Sequence, residues 1–128
     1  MNLLLDTQVA LWAITDSSRL PAAARDLIAA EKTTVWVSAG SVREIAIKHA
    51  LGRGDMPVSA RDAMCYFEES GYRLLSIAPE HAAAVEDLPP HHQDPFDRLL
   101  VAQALTEPLR FMSNDPLVAL YSATVLRV

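Results

Sequence analysis

The hydrophobic positions of this chain fall into two kinds of segment. Short apolar runs without alternation are interleaved with longer stretches of helical period. Leu3-Leu4-Leu5 is the first run. A strand covered on one side would alternate, so an unbroken run predicts a parallel-sheet strand buried on both faces. Val9 to Ile14 is apolar almost all round and predicts a short buried helix. Pro21 suits the first turn of a second helix with Ala24, Leu27 and Ile28 inward. Thr33 to Val37 is β-branched and aromatic, a second strand. Ser38 to Ser41 turns into a helix through Val42, Ile45, Ala46 and His49, ended by Gly52 and Gly54. Ala60 to Ser70 is a further helix, with Ala63, Met64 and Phe67 inward, and Gly71 stops it. Tyr72 to Leu75 is a short third strand, and Pro79 opens a brief helix through Val85. After the Pro89-Pro90-His91-His92-Gln93 loop, Phe96 to Leu105 is a strong helix. Leu109 to Met112 is a fourth strand, Pro116 to Tyr121 a helical turn or two, and Thr124 to Leu126 a fifth strand. Strands alternating with helices predict an α/β sheet with right-handed crossovers.

At 128 residues and 51% apolar, the chain is expected to form one domain with a real core. No run of about 18 apolar residues is present, so no membrane span is expected. The N-terminus lacks the basic flank and cleavage site of a signal peptide. Cys65 is the single cysteine and no Cys/His spacing suggests zinc, so a cytoplasmic protein is expected. The net charge of -5 argues against a broad basic nucleic-acid surface. It leaves room for a small acidic pocket flanked by a few basic residues.

Ligands of open parallel sheets bind beyond the carboxyl ends of the strands. Four carboxylates are expected on that edge. Asp6 ends strand one, Glu44 lies in the first turn or so of the helix after strand two, Asp97 opens the Phe96 helix, and Asp115 follows strand four. Two unit charges 4 Å apart cost about 4 kcal/mol at an effective dielectric near 20. Four together would strain a domain whose stability is about 5–15 kcal/mol. A divalent cation relieves that repulsion. Oxygen ligands without histidine or cysteine point to Mg²⁺ or Mn²⁺, and such a site can hydrolyse a phosphodiester.

Each acid also has a plain structural reading. Asp6 fits an N-cap, as does Asp115 before Pro116. Asp94-Pro95-Phe96-Asp97 fits a capped helix start, which makes Asp94 structural. Glu44 and Lys48 fit an i,i+4 surface pair worth about 0.3–0.5 kcal/mol. Their coincidence on one edge is what favours chemistry.

At these residues the chain resembles the PIN-domain ribonucleases, and among them the VapC-type toxins of type II toxin–antitoxin pairs. The blocks are Leu3-Leu4-Leu5-Asp6-Thr7, Val37 to Lys48, Asp94-Pro95-Phe96-Asp97-Arg98-Leu99-Leu100-Val101-Ala102-Gln103-Ala104 and Ser113-Asn114-Asp115. They span nearly the whole chain in the family's order. The resemblance implies a three-layer α/β/α sandwich with a parallel sheet of about five strands. It implies an Mg²⁺- or Mn²⁺-dependent endoribonuclease, with Asp6, Glu44, Asp97 and Asp115 as the acidic site and Thr7 and Ser113 as supporting hydroxyls. It also implies a homodimer and a cognate antitoxin that blocks the site in the cytoplasm. Gln8 departs from the pattern, since this subgroup often carries histidine after the Asp-Thr pair.

Arg43, Lys48, Arg53 and Arg98 are candidates to hold RNA phosphates, Lys48 and Arg98 foremost. The alternative for each is a solvated helix face. His49, His81, His91 and His92 show no metal-ligand spacing and read as loop or surface residues. Trp12, Trp36 and Phe67 read as core. A haloacid-dehalogenase-like phosphatase is a rival, but it wants a second aspartate where Gln8 stands. No phosphate-binding glycine loop supports a nucleotide triphosphatase. A catalytically silent PIN-like binding or assembly module is the non-enzymatic alternative. The reading favoured is hydrolysis of an RNA phosphodiester by a metal-activated water. In it Asp6, Asp97 and Asp115 hold the metal, and Glu44 ligates or orients the water.

Overall fold

The computed structural model of the protein describes residues 1–52 and 56–128. Gly54 and Arg53, named above as a helix stop and a basic flank, lie outside the described residues. Five strands form one sheet: β1 (Asn2–Leu5), β2 (Thr34–Ser38), β3 (Arg73–Leu75), β4 (Arg110–Ser113) and β5 (Leu126–Arg127). Their order is β3-β2-β1-β4-β5, and every pairing is parallel. Strand β1 is central, with Leu5 paired to Val37 on one side and Met112 on the other. Among the described residues, six α-helices connect the strands: α1 (Thr7–Ile14), α2 (Ala22–Ala29), α3 (Ala39–Ala50), α4 (Ala60–Glu69), α5 (Pro79–Ala84) and α6 (Pro95–Thr106). Among the described residues, no helix is long and apolar enough to cross a membrane.

The leucine run explains the layers. Leu3, Leu4 and Leu5 are all fully buried, and they alternate between two separate cores. Leu3 and Leu5 pack with Val9, Ala24, Ile45 and Phe67 from α1 to α4. Leu4 packs with Leu100, Val101 and Ala104 of α6 and Phe111 of β4. A strand needs apolar residues on both faces only when helices cover both, and here they do. The expected α/β/α sandwich with a five-stranded parallel sheet is the fold observed.

The ends of elements differ from expectation in small ways. The segment after Asp115 forms one 3-10 turn, Val118–Leu120. Strand β5 starts two residues later than expected, because Ser122 folds back onto Thr124 through side-chain and backbone bonds. Glu44 is the sixth residue of α3 and so sits in its second turn.

The topology decides where chemistry can happen. From β1 the chain moves outward through β2 and β3, then returns to pair β4 on the other side of β1. The crevice between the β1 and β4 ends is therefore the switch point of the sheet, where open α/β folds bind ligands.

Candidate active site

Asp6 follows β1 and caps α1, accepting the Val9 backbone N–H at Oδ1 over 2.8 Å. Its own N–H donates to the Met112 carbonyl over 3.0 Å, which continues the β1–β4 ladder one residue past the strand. Its Oδ2 accepts the Ser113 hydroxyl. The side chain is nearly sealed, with 4% of the residue exposed. The cap reading of Asp6 is observed, and the residue also lines the crevice.

Thr7 opens α1. Its hydroxyl lies 2.8 Å from Glu44 Oε1 and 2.9 Å from Ser41 Oγ. The carboxylate can only accept, so the hydroxyl proton goes to Glu44. The other Glu44 oxygen accepts from Lys48 Nζ at 2.7 Å. Glu44 is buried while Lys48 is about one-third exposed, so the pair is anchored on its acidic side.

Asp94 is the N-cap of α6, and its Oδ1 accepts the Phe96 and Asp97 N–H groups at 2.8 and 3.1 Å. Pro95 follows at the first helical position, where a missing N–H is harmless. The structural reading of Asp94 is what the hydrogen bonds show. Asp97 stands in the first turn of α6. Asp115 accepts the Leu117 N–H at Oδ1 over 2.8 Å, and its own N–H donates to Ser113 Oγ over 3.1 Å.

Asp6, Glu44, Asp97 and Asp115 line a single cavity of about 230 Å³, together with Thr7, Gln8, Leu11, Lys48, Met56, Asp94 and Asn114. Four elements widely spaced in sequence thus bring their acids to one rim. A larger cavity of about 380 Å³, among Ala13, Ile28, Val35 and Tyr72, contains no carboxylate.

The acids feel one another. Burial pushes the Asp6 carboxyl up to about 6 from 3.8, and the Glu44 charge adds to it. Donation from Ser113 and from the Val9 and Asn114 N–H groups works against that rise. Burial lifts Asp97 further, to about 7, with the charges of Asp94, Asp6 and Glu44 adding and His92 opposing. Carboxyls raised this way are short of positive charge. An all-oxygen donor set in a small, partly desolvated cavity suits Mg²⁺ or Mn²⁺, so the residues present fit such an ion.

Two residues differ from their sequence reading. Arg98 was expected on RNA phosphates, but its guanidinium turns to the loop before α6. It donates to the carbonyls of Val85, Leu88, Pro89 and His92 and to the Tyr121 hydroxyl. Five acceptors around one planar fork leave it a loop clamp, and it does not line the acidic cavity. His81 was expected at a loop or surface, yet it is 2% exposed. Its Nδ1 accepts the Ala78 N–H and its Nε2 lies 2.6 Å from Glu107. Lys48 does line the cavity, whereas the exposed Arg43 does not.

One site residue escaped the sequence reading. His92 Nε2 lies 2.7 Å from Asp115 Oδ2 and 3.2 Å from Asp97 Oδ2. No regular spacing signals it, because it lies in a loop and meets Asp115 across 23 residues.

No curated protein matches the chain by sequence. Solved structures share its fold. VapBC2 from Rickettsia felis, bound to a DNA fragment from its promoter, aligns with a TM-score of 0.71 at 12% identity over 100% of this chain and 98% of that one. VapBC-1 from nontypeable Haemophilus influenzae gives 0.67 at 14%, over 100% and 97%. A toxin–antitoxin complex from Klebsiella pneumoniae gives 0.65 at 16%, over 97% and 95%. At these identities the likeness is one of fold. The PIN domain family model matches residues 3–118, nearly the whole chain and every acid of the cavity, so the chain belongs to the PIN-domain family.

Proposed function

We propose that this protein is a divalent-metal-dependent endoribonuclease that acts as the toxin of a type II toxin–antitoxin pair. The observation that carries the reading is the shared cavity of Asp6, Glu44, Asp97 and Asp115, with Lys48 on its wall. Those four carboxylates would hold Mg²⁺ or Mn²⁺, which supplies charge neutralisation at the scissile phosphate and makes water easier to deprotonate. The chain's own groups do the rest. Ser113 and the Val9 N–H keep the Asp6 carboxylate turned to the crevice. Thr7 fixes one oxygen of Glu44, which leaves Glu44 oriented toward an attacking water. Lys48 offers an ammonium beside the acids, and a phosphate oxygen would share it with Glu44.

The VapBC and toxin–antitoxin neighbours support a cognate antitoxin partner, which in this reading covers the cavity. The reading includes a homodimer in the cytoplasm. Incubation of the purified protein with structured RNA, followed by sequencing of the new ends, tests the chemistry. Discrete cleavage that needs Mg²⁺ or Mn²⁺, stops with chelator and disappears in Asp6→Asn is expected. Intact RNA under all metals, or equal cutting by Asp6→Asn, would refute it. Growth arrest on expression, relieved by co-expression of a small open reading frame sought beside its gene, tests the toxin role. Sedimentation velocity tests the dimer.

A further inference from the structure

The three atoms His92 Nε2, Asp97 Oδ2 and Asp115 Oδ2 invite a simple reading as a mixed metal site, since one ligand atom from each lies within 4.8 Å of the others. The hydrogen bonds around the histidine argue for a different role. We propose that His92 is a positioning residue: its ring donates one N–H to the Asp115 carboxylate, beside that of Asp97, and so presents the pair to a divalent cation without ligating that cation itself. The inference rests on the proposed cation role of the acidic cavity.

The argument begins at the far side of the ring. The Asp94 backbone N–H points at His92 Nδ1 over 3.0 Å. A peptide N–H can only donate, so Nδ1 is the acceptor and the ring proton sits on Nε2. That proton goes to Asp115 Oδ2 over 2.7 Å, an oxygen that can only accept, and Asp97 Oδ2 stands 3.2 Å from the same nitrogen. Donor and acceptor match at every contact. For Nε2 to ligate a metal it must present a lone pair, and the proton must move to Nδ1. Nδ1–H would then face the Asp94 N–H, donor against donor.

Asp94 cannot easily withdraw from this contact. Its side chain caps α6 through the Phe96 and Asp97 N–H groups, which fixes its backbone at the helix start. The backbone of His92 is held as well. Its N–H donates to the Tyr121 hydroxyl over 2.9 Å, and its carbonyl accepts from Arg98. The Arg98 clamp thereby gains a purpose at the site: it sets the loop that delivers the imidazole. The ring itself is mostly enclosed, with 13% of the side chain exposed.

What the ring does follows from where its proton points. Asp97 comes from α6 and Asp115 from the turn after β4, and among the described residues His92 is where the two side chains meet a common partner. A single N–H given to Asp115, with an Asp97 oxygen beside the same nitrogen, sets where the two carboxylates meet. Outer contacts of this kind typically change metal affinity by about 10- to 100-fold when removed.

The test combines two spectroscopies with a binding series on the full chain. In the metal-free protein, long-range ¹H–¹⁵N correlation of the labelled histidines reports which ring nitrogen carries the proton. The Nε2–H pattern is expected for His92, and an Nδ1–H pattern would overturn the proposal. In the Mn²⁺-loaded protein, pulsed electron paramagnetic resonance reports directly bound ¹⁴N. None is expected from His92, and a coordinated nitrogen that vanishes in His92→Gln would overturn the proposal alone. By titration calorimetry, His92→Leu is expected to bind Mn²⁺ about 10- to 100-fold more weakly. His92→Gln, whose amide N–H can replace Nε2–H, should recover part of that loss. Equal affinity in wild type, His92→Leu and His92→Gln would overturn the positioning role while leaving the cation site intact. Absence of Mn²⁺ binding by the wild type would overturn both the inference and the function beneath it.

Discussion

The Ser113 hydroxyl donates to Asp6 Oδ2, joining the ends of β4 and β1 across 107 residues of sequence. The same hydroxyl oxygen accepts the Asp115 N–H. One fully buried serine therefore ties two of the four cavity acids to the central strand pair. The sequence reading placed Ser113 in a supporting role through resemblance alone, and the hydrogen bonds supply a physical content for that role.

Ser113→Ala removes the donor and leaves a buried carboxylate oxygen short of a partner. Donation from Ser113 is the largest influence that lowers the Asp6 carboxyl. Without it, Asp6 should hold its proton to higher pH. The acid limb of the pH–rate profile for RNA cleavage is expected to move up relative to wild type. Stability should fall by about 1–3 kcal/mol, the usual cost of an orphaned buried group. Denaturant unfolding and the pH–rate profile check the two effects separately.

Arg98 and Lys48 should respond in opposite ways, although both were read as phosphate contacts. Arg98→Met removes five donations, including those to the Leu88 and His92 carbonyls, and is expected to cost about 2–3 kcal/mol. Arg98→Lys should recover little, because an ammonium cannot span that planar fork. Lys48→Met removes a cation about one-third exposed from the cavity wall. It should leave unfolding within about 1 kcal/mol of wild type while weakening RNA binding several-fold. Thermal unfolding beside a binding assay with a non-cleavable RNA distinguishes them.

The residues that were legible from sequence are those whose roles depend on local pattern. Leu3 to Leu5 carry their burial in their composition, and the Asp94-Pro95 start of α6 carries its cap in its spacing. Because the strands are parallel, locating each strand end was enough to bring the acids to one edge. Roles that depend on loop closure were not legible. Arg98 lies one residue past Asp97, and only the fold of residues 85–92 turns its side chain away from the acids. His81 is interior because Gln103 and Glu107 of the α6 region close over it, contacts of 22 and 26 residues in separation. His92 depends on both Asp94 and Asp115, and no periodicity encodes that pair.

Gln103 gives a test of that hidden interior. It is fully buried, accepts from Ser38 at Oε1 and donates from Nε2 to the Ser76 carbonyl. Ser38 in turn caps α3, the helix that carries Glu44. Gln103→Leu conserves bulk but strands the Ser38 hydroxyl and the Ser76 carbonyl. A loss of about 2–4 kcal/mol is expected in urea unfolding, from orphaned buried polar groups.

The raised carboxyls predict how stability depends on pH and on cation. Asp6 moves from 3.8 to about 6 and Asp97 from 3.8 to about 7 on folding. A carboxyl raised in the folded state binds more protons there than in the unfolded chain over the interval between the two values. Stability then falls as pH rises. The contribution is complete below about pH 4 and is lost by about pH 7, so the metal-free protein should melt at progressively lower temperature across that window. Asp97→Asn removes the larger rise, and in chelator it should flatten the decline and raise the neutral-pH melting temperature by several degrees. Mg²⁺ or Mn²⁺ competes with protons for the same oxygens. Millimolar cation should therefore stabilise the wild type more at pH 7.5 than at pH 5, and Asp97→Asn much less at either pH. Scanning calorimetry at several pH values, with chelator and with cation, checks the slope and its reversal. A metal-free melting temperature that climbs steadily from pH 4 to 7 would contradict the charge crowding on which the cavity's chemistry is argued.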